Sequence, residues 1–265
     1  MIDLHCHILP GVDDGPTVME EAVAMARAAV QDGITTVVAT PHSVVWAFAG
    51  CEGATRKKVA AMRAELASHG VELELLAGIE ARVTPDLPAL FARGHVFTLN
   101  GSRYILVEFP FDVLPNFVEQ TLFELQLRQL VPVIAHPERN SEIARNPGIL
   151  HRLVSRGMLV QVTSGSLLGD FGHRTQQTAE LLVAHRLAHI IASDAHSAKW
   201  RLPSLLEATA RATRLIGREA AEAMVTTVPA AILRDEEMAI PEPRPVERQT
   251  WFPFGRRKQL SSEWE

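Results

Sequence analysis

The sequence predicts an α/β fold whose parallel strands close into a barrel with one functional mouth. Two observations lead there. Short apolar runs alternate with amphipathic helical segments, the pattern of repeated strand–helix–strand units that builds parallel sheets. Residues able to bind metal recur just after those apolar runs, which a barrel with its active site at the strand ends would require. The chain has 265 residues, 47% of them hydrophobic, enough for one barrel core or for two smaller units.

The first strand is Ile2 to Cys6, followed by a helix from Thr17 to Asp32 with a capping box at Thr17 and Glu20 and a stop at Gly33. A strand from Thr35 to Ala39 and a helix from about Gly53 to His69, before Gly70, come next. Strands at Leu73 to Ala77 and Tyr104 to Val107 precede a helix from Pro115 to Gln129. Then come the strand Val131 to Ala135, a helix from Pro147 to Arg156 before Gly157, and the strand Met158 to Val162. A helix from His173 to His185 leads into the seventh strand, His189 to Ala192. Two more helices, about Pro203 to Gly217 and Arg218 to Val225, complete a domain spanning 1–233. From Arg234 the composition changes, and the spacing of Pro241, Pro243 and Pro245 predicts an extended tail over 234–265. A solvated or self-docking terminus is the favoured reading of that tail. The alternative is an interaction segment whose Trp251, Phe252 and Phe254 pack on a partner.

Net charge is −5 and the pI 6.1, so neither nucleic acid nor an anionic membrane surface is an expected partner. Two cysteines, Cys6 and Cys51, offer no disulfide framework, and Cys6 should point into the packed face opposite its neighbours. No signal peptide or membrane-spanning run is visible, which makes the cytoplasm the default location.

His5 and His7 stand one residue apart on the first strand, so they share a face and can grip one ion together. Asp14, His42, Glu80, Glu108, His136, Asp194 and His196 lie in the segments that follow later apolar runs. Histidine and carboxylate without thiolate suit Mn, Fe, Zn or Mg. Nine candidates exceed the needs of one ion and could hold two or three, with Glu80 a plausible bridge. Clustered cations would bind an anionic phosphate, generate hydroxide from a shared water and stabilise the leaving oxygen. Arg139 and Arg201, just past ligand segments, can clamp phosphate oxygens. Phosphoester hydrolysis fits these parts best.

The motifs His5-Cys6-His7, Asp13-Asp14-Gly15, Thr40-Pro41-His42, Gly78-Ile79-Glu80, Val107-Glu108-Phe109, Ala135-His136-Pro137-Glu138-Arg139-Asn140 and Ser193-Asp194-Ala195-His196 resemble the polymerase and histidinol phosphatase (PHP) superfamily. Within it the sequence is most similar to the bacterial metal-dependent protein-tyrosine phosphatases of capsule and exopolysaccharide operons, the CpsB/YwqE type, from Met1 to about Leu233. The run from Gln161 to Gly169 also resembles that group. The resemblance implies a distorted (β/α)7, TIM-like barrel of the PHP type with three divalent ions, usually manganese. It implies that His5, His7, Glu80 and Asp194 hold one ion, Glu80, Glu108 and His136 a second, and Asp14, His42 and His196 a third. Arg139 and Arg201 would bind the phosphate of a phosphotyrosine on the tail of a partner tyrosine autokinase. Two positions depart from the family pattern: Ser43 stands where a second histidine often follows His42, beside the apolar loop Val44 to Gly50, and Val228-Pro229 replaces Asn-Pro.

Each assignment has a plainer counterpart. Taken singly, Glu80, Glu108 and His136 read equally as capping or ion-pair residues. Asp13 reads as a turn former before Gly15. Arg139 can pair with Glu138 or Glu142, and Trp46 and Phe48 read as a packed loop. His69, His95, His151, His173, His185 and His189 read as helix-end or surface histidines. No covalent phosphoenzyme is expected, since neither cysteine is placed as a nucleophile, and His42, Asp194 and His196 are the candidates for general acid. The rival functions are a small-molecule phosphatase acting on a histidinol phosphate-like or nucleotide substrate, and a non-catalytic module that binds phosphorylated partners. A metal-dependent amidohydrolase also begins with His-x-His, but no strand-end lysine suited to bridging two metals lies between Glu80 and His136.

Overall fold

The structure, a computed structural model, describes residues 1–43 and 49–246. Most of the apolar loop after Ser43, with Trp46 and Phe48, and the tail aromatics Trp251, Phe252 and Phe254 lie outside the described residues.

The described strands form two parallel sheets. One orders β1 (Ile2–Cys6), β2 (Thr36–Ala39) and β3 (Glu74–Ala77), and the other orders β4 (Glu80–Arg82), β5 (Tyr104–Glu108), β6 (Val131–Ala135), β7 (Leu159–Thr163) and β8 (Ile190–Ala192). Two isolated parallel bridges link the sheets, Cys6 to Ala195 between β1 and the segment after β8, and His42 to Glu80 between the segment after β2 and β4. At the first seam the Asp194 N–H donates to the His5 carbonyl at 2.8 Å, and Ser193 donates its N–H and hydroxyl to the buried Asp3 carboxyl.

The sequence predicts seven strands, whereas eight occur among the described residues, because β4 is separate from β3. The break falls at Gly78, where a Cβ would sit 2.9 Å from Val38 Cγ1 and 3.0 Å from Leu99 Cδ2, so only glycine passes there without displacing its neighbours. Pairing between β1 and β2 also shifts register between Asp3 and Cys6. An irregularity of this kind re-aims side chains. Leu4 joins an apolar cluster with Val38, Leu106, Val133 and Ile190, while its neighbour His5 enters the polar site.

Helices pack outside the strands over a larger core that includes Met25, Met62, Leu122, Leu153 and Leu182. The first helix runs Met19–Gln31 and begins later than expected, with Val18 at its N-cap and no side-chain cap. The predicted capping box is not formed: the Thr17 amide and hydroxyl both donate to Glu21, not Glu20. The helices Leu87–Ala92, Ser141–Arg145, Ser164–Leu168 and Thr227–Leu233 were not predicted, since such short segments show too little periodicity. Among the described residues no helix is long and apolar enough to cross a membrane.

The described part of the tail lies against its own chain. Arg103 pairs with Asp235 at 3.0 Å, the Tyr104 hydroxyl donates to the Glu236 carbonyl at 2.6 Å, and the Arg244 N–H donates to the His185 carbonyl at 2.8 Å. Met238 and Ile240 pack on the smaller apolar cluster.

Candidate metal centre

All nine predicted ligands gather in one place, most of them at or just past the carboxyl ends of the strands. His5 lies on β1 with His7 just past it, His42 follows β2, Glu80 opens β4, Glu108 ends β5, His136 follows β6, and Asp194 and His196 follow β8. Asp14 reaches in from the loop after β1. Donor atoms lying within 4.8 Å of one another form three groups: His5, His7 and Glu80; His42, Glu80 and Glu108; and His7, Asp14, His42 and His196.

Glu80 is central. Its Oε1 lies 2.8 Å from His136 Nε2 and 3.3 Å from His5 Nε2, and its Oε2 lies 2.7 Å from His42 Nδ1 and 3.5 Å from His7 Nε2. The contact with His42 is poorly aligned, which leaves Glu80 Oε2 buried without a proper hydrogen bond. Asp194 Oδ1 lies 3.5 Å from His5 Nε2 and 3.4 Å from His7 Nε2. Asp14 Oδ1 lies 3.2 Å from His196 Nε2 and 3.4 Å from His42 Nε2. The floor of the site is fully buried, whereas the Asp14 side chain is 62% exposed and that of His42 24%, so the site opens on their side.

Residues behind the ligands fix ring orientation. His7 Nδ1 lies 2.7 Å from Asp13 Oδ2, and His5 Nδ1 lies 3.0 Å from Gln161 Oε1. With those acceptors, each ring carries its proton on Nδ1 and turns an Nε2 lone pair inward. The two Nε2 atoms then face each other at 3.1 Å. Two lone pairs so close repel unless a proton or a cation lies near both, which is the donor arrangement a divalent ion takes. Asp13 also accepts from the amides of Gly15 and His42. Asp13 therefore does more than shape a turn. Gln161 is a ligand-orienting residue that the sequence did not mark as such; its signals there are the family-like run that it opens and a polar side chain within the mostly apolar β7.

The electrostatics agree with the donor set. Burial opposes ionisation of Glu80 and Asp194, but His5 and further imidazole contacts outweigh it and hold both carboxyls well below the usual range. Burial likewise disfavours a charged His7, yet hydrogen bonds to Asp13 and Asp194 push it up to about 10. His5 and His42 move upward for similar reasons, with Glu80 the main opposing charge. His196 goes the other way, pushed down to about 4 by burial and by His7. A field that retains protons on imidazoles is one that a dication can satisfy in their place.

Arg139 pairs with neither Glu138 nor Glu142. Its NH1 donates to Asp194 Oδ2 at 2.9 Å, and Arg201 NH2 donates to the same oxygen at 2.5 Å. Arg201 Nε is buried without a partner. Glu138 instead accepts from the Thr163 amide, pinning the turn that carries Arg139 to β7. His136, Asp194 and Arg201 all adopt left-handed backbone, at φ of 32°, 50° and 54°, strain of a kind that clusters at functional sites. Phe111 and Phe171 stack on Arg139. Cys6 is buried in the opposite packed face, as expected, and burial pushes its thiol well up. His189 is not a surface residue: it is buried, accepts the Val160 N–H on Nδ1, and is pushed down to about 4 by burial.

Residues 1–234 match the family model for capsular polysaccharide synthesis, CpsB/CapC. The tyrosine-protein phosphatase YwqE of Bacillus subtilis (strain 168) is 40% identical over 254 residues, covering 96% of this chain and 100% of that protein. The putative tyrosine-protein phosphatase CapC of Staphylococcus aureus is 37% identical over 197 residues, covering 74% of this chain and 77% of that protein. The crystal structure of YwqE from Bacillus subtilis, described with CpsB from Streptococcus pneumoniae as unique metal-dependent tyrosine phosphatases, aligns with a TM-score of 0.89 at 40% identity, over 94% of this chain and 100% of that one.

Proposed function

The chain belongs to the CpsB/CapC family of capsular polysaccharide synthesis, and from that premise we propose that it is a metal-dependent protein-tyrosine phosphatase acting on the tail of a tyrosine autokinase in the cytoplasm. The observation that carries this reading is the convergence of His5 Nε2 and His7 Nε2 on Glu80 and Asp194, with Arg139 and Arg201 alongside.

The donor set fits three divalent ions, manganese first. His5, His7, Glu80 and Asp194 would hold one, Glu80, Glu108 and His136 the second, and Asp14, His42 and His196 the third. The short contacts support this sharing, with Glu80 as bridge. When bound, the ions supply Lewis-acid charge that lowers the pKa of water and offsets the charge on the phosphate oxygens.

The chain's own residues do the rest. Arg139 and Arg201 bind and orient the phosphate, and the unpartnered Nε of Arg201 is a donor available for that contact. His42 lies at the open side of the site, where the leaving phenolate would depart; like Asp194 and His196 it would serve as an ion ligand, so any proton it helps to deliver would pass through solvent rather than come from its own ring. Cys6 takes no part, so no phosphoenzyme forms. The exposed rim at Asp14 suits a phosphate carried on a flexible chain. We read the two sheets, bridged at both seams, as one distorted barrel in which β3 and β4 make a single interrupted stave, 1–233 as the catalytic domain, and 234–265 as its tail.

The test is phosphate release by chelator-stripped protein with and without manganese, from a tyrosine-phosphorylated peptide beside histidinol phosphate. Manganese-dependent turnover favouring the peptide is expected. Preference for histidinol phosphate would move the protein to the small-molecule branch. Turnover of neither would point to a phospho-binding module.

A further inference from the structure

A groove of about 520 Å³ opens beside Arg201, walled by Phe171, Leu168 and Leu202, with Ser193 and Ser204 also lining it. Phe171 belongs both to this groove and to the arginine pair: its ring centroid lies 4.6 Å from Arg139 Cζ and 5.9 Å from Arg201 Cζ. Arg139 stacks on a second ring as well, its Cζ lying 4.4 Å from the Phe111 centroid. Both guanidinium groups donate to one oxygen, Asp194 Oδ2, and Arg201 and Phe171 also line the groove, so the groove adjoins the arginine pair.

The sequence builds the seat locally. The helix Ser164–Leu168 ends at Gly169, which has a left-handed φ of 95°, and the chain turns through Asp170 into Phe171. Phe171 and Asp170 lie down over Gly165, where a Cβ would stand 3.2 Å from Phe171 Cε2 and 2.9 Å from Asp170 Oδ2. A side chain at 165 would therefore press on Phe171 and Asp170 and shift them by a few tenths of an ångström.

We propose that this groove seats the phenyl ring of an aryl phosphomonoester against Phe171, making Phe171 the residue that separates aryl from alkyl phosphates; the inference rests on the phosphatase reading of the adjoining site. A ring entering edge-on or offset against Phe171 gains contact that an alkyl chain does not. Phe111 plays a different part, because it stacks on Arg139 without lining the groove and so acts on any phosphate alike.

The test uses the full chain loaded with manganese and measures binding of phenylphosphonate and ethylphosphonate by calorimetry, beside turnover of the phosphotyrosine peptide. Wild type should prefer phenylphosphonate by about tenfold. Phe171→Leu should reduce that preference to about twofold, any weakening from the lost stacking on Arg139 falling on both ligands alike. Gly165→Ala should act in the same direction, and Phe111→Leu should weaken both ligands by the same factor. Equal affinity of wild type for the two phosphonates, failure of phenylphosphonate to bind, or equal weakening of both ligands by Phe171→Leu would overturn the proposal. Retained aryl preference with no turnover of the peptide would keep the seat and remove the phosphatase reading.

Discussion

The two ends of the strands use the same backbone for opposite purposes. At the site end, Glu80, Asp194 and four histidines are buried against one another, three residues hold left-handed backbone, and polar atoms of Glu80, Gln161 and His196 lack an aligned hydrogen bond. Beyond the amino ends, Met238 and Ile240 close an apolar cluster, and Tyr104 and Arg103 are paired to the tail. Buried charge is costly unless something completes its coordination, whereas apolar closure stabilises unaided. The site end is thus organised for a cation, and the tail end for folding.

Breaking the centre of the site should have the largest effect. Glu80→Ala is expected to lower manganese-dependent turnover by well over ~100-fold, beyond the 10–100-fold typical for residues that only orient ligands. Steady-state kinetics across a manganese titration would show it, and near wild-type turnover would remove Glu80 from the site. One layer out, Asp13→Asn should weaken manganese affinity by about 10–100-fold while saturating metal restores much of kcat. Calorimetric titration checks this, and unchanged affinity would return Asp13 to the role of a turn residue.

The electrostatics give a signed pH dependence. In the ion-free chain His5, His7 and His42 have folded values above the ordinary imidazole value of about 6.5, so the stability they lend is full below it and fades as pH rises through their folded values, about 10 for His7. Glu80 and Asp194 are held well below the ordinary carboxyl range, so the stability they lend is present throughout the neutral range and changes little there. Manganese must displace those imidazole protons, so the rise in Tm on adding it should be larger at pH 8 than at pH 6. Thermal melts at both values, with and without the ion, would decide, and an equal or reversed increment contradicts the assignment.

Two smaller changes sharpen the contrast between the ends. Cys6→Ser puts a hydroxyl into packed surroundings and should cost about 1–3 kcal/mol of stability with kcat intact, whereas a loss of turnover matching His5→Ala would make the thiol catalytic. Tyr104→Phe removes the hydroxyl bond to the tail and should lower Tm by about 2–4 °C, equivalent to ~1 kcal/mol, leaving manganese affinity untouched.

The ligands were legible because their types are unusual at the ends of apolar runs and because β1 carries two with period-two spacing. Arg139 was legible too, but its partner was not: nearest sequence neighbours suggested Glu138 or Glu142, and the structure pairs it with Asp194, 55 residues away. Phe111 and Phe171 carried no signal, since aromatic residues in loops are common and their stacking depends on where Arg139 points. The separate β4 was hidden for a similar reason, because Gly78 breaks the strand only through its close approach to Val38 and Leu99.

By itself the sequence determined the alternation of strand and helix, the inward histidine pair and the chemical character of the donors, all local properties set by side-chain period and type. The tertiary structure decided which donors share an ion-sized space, which ring nitrogens turn inward, and what stands behind them. Those depend on distances between residues far apart in the chain, such as His5 and Gln161, which only the completed packing of the strands fixes.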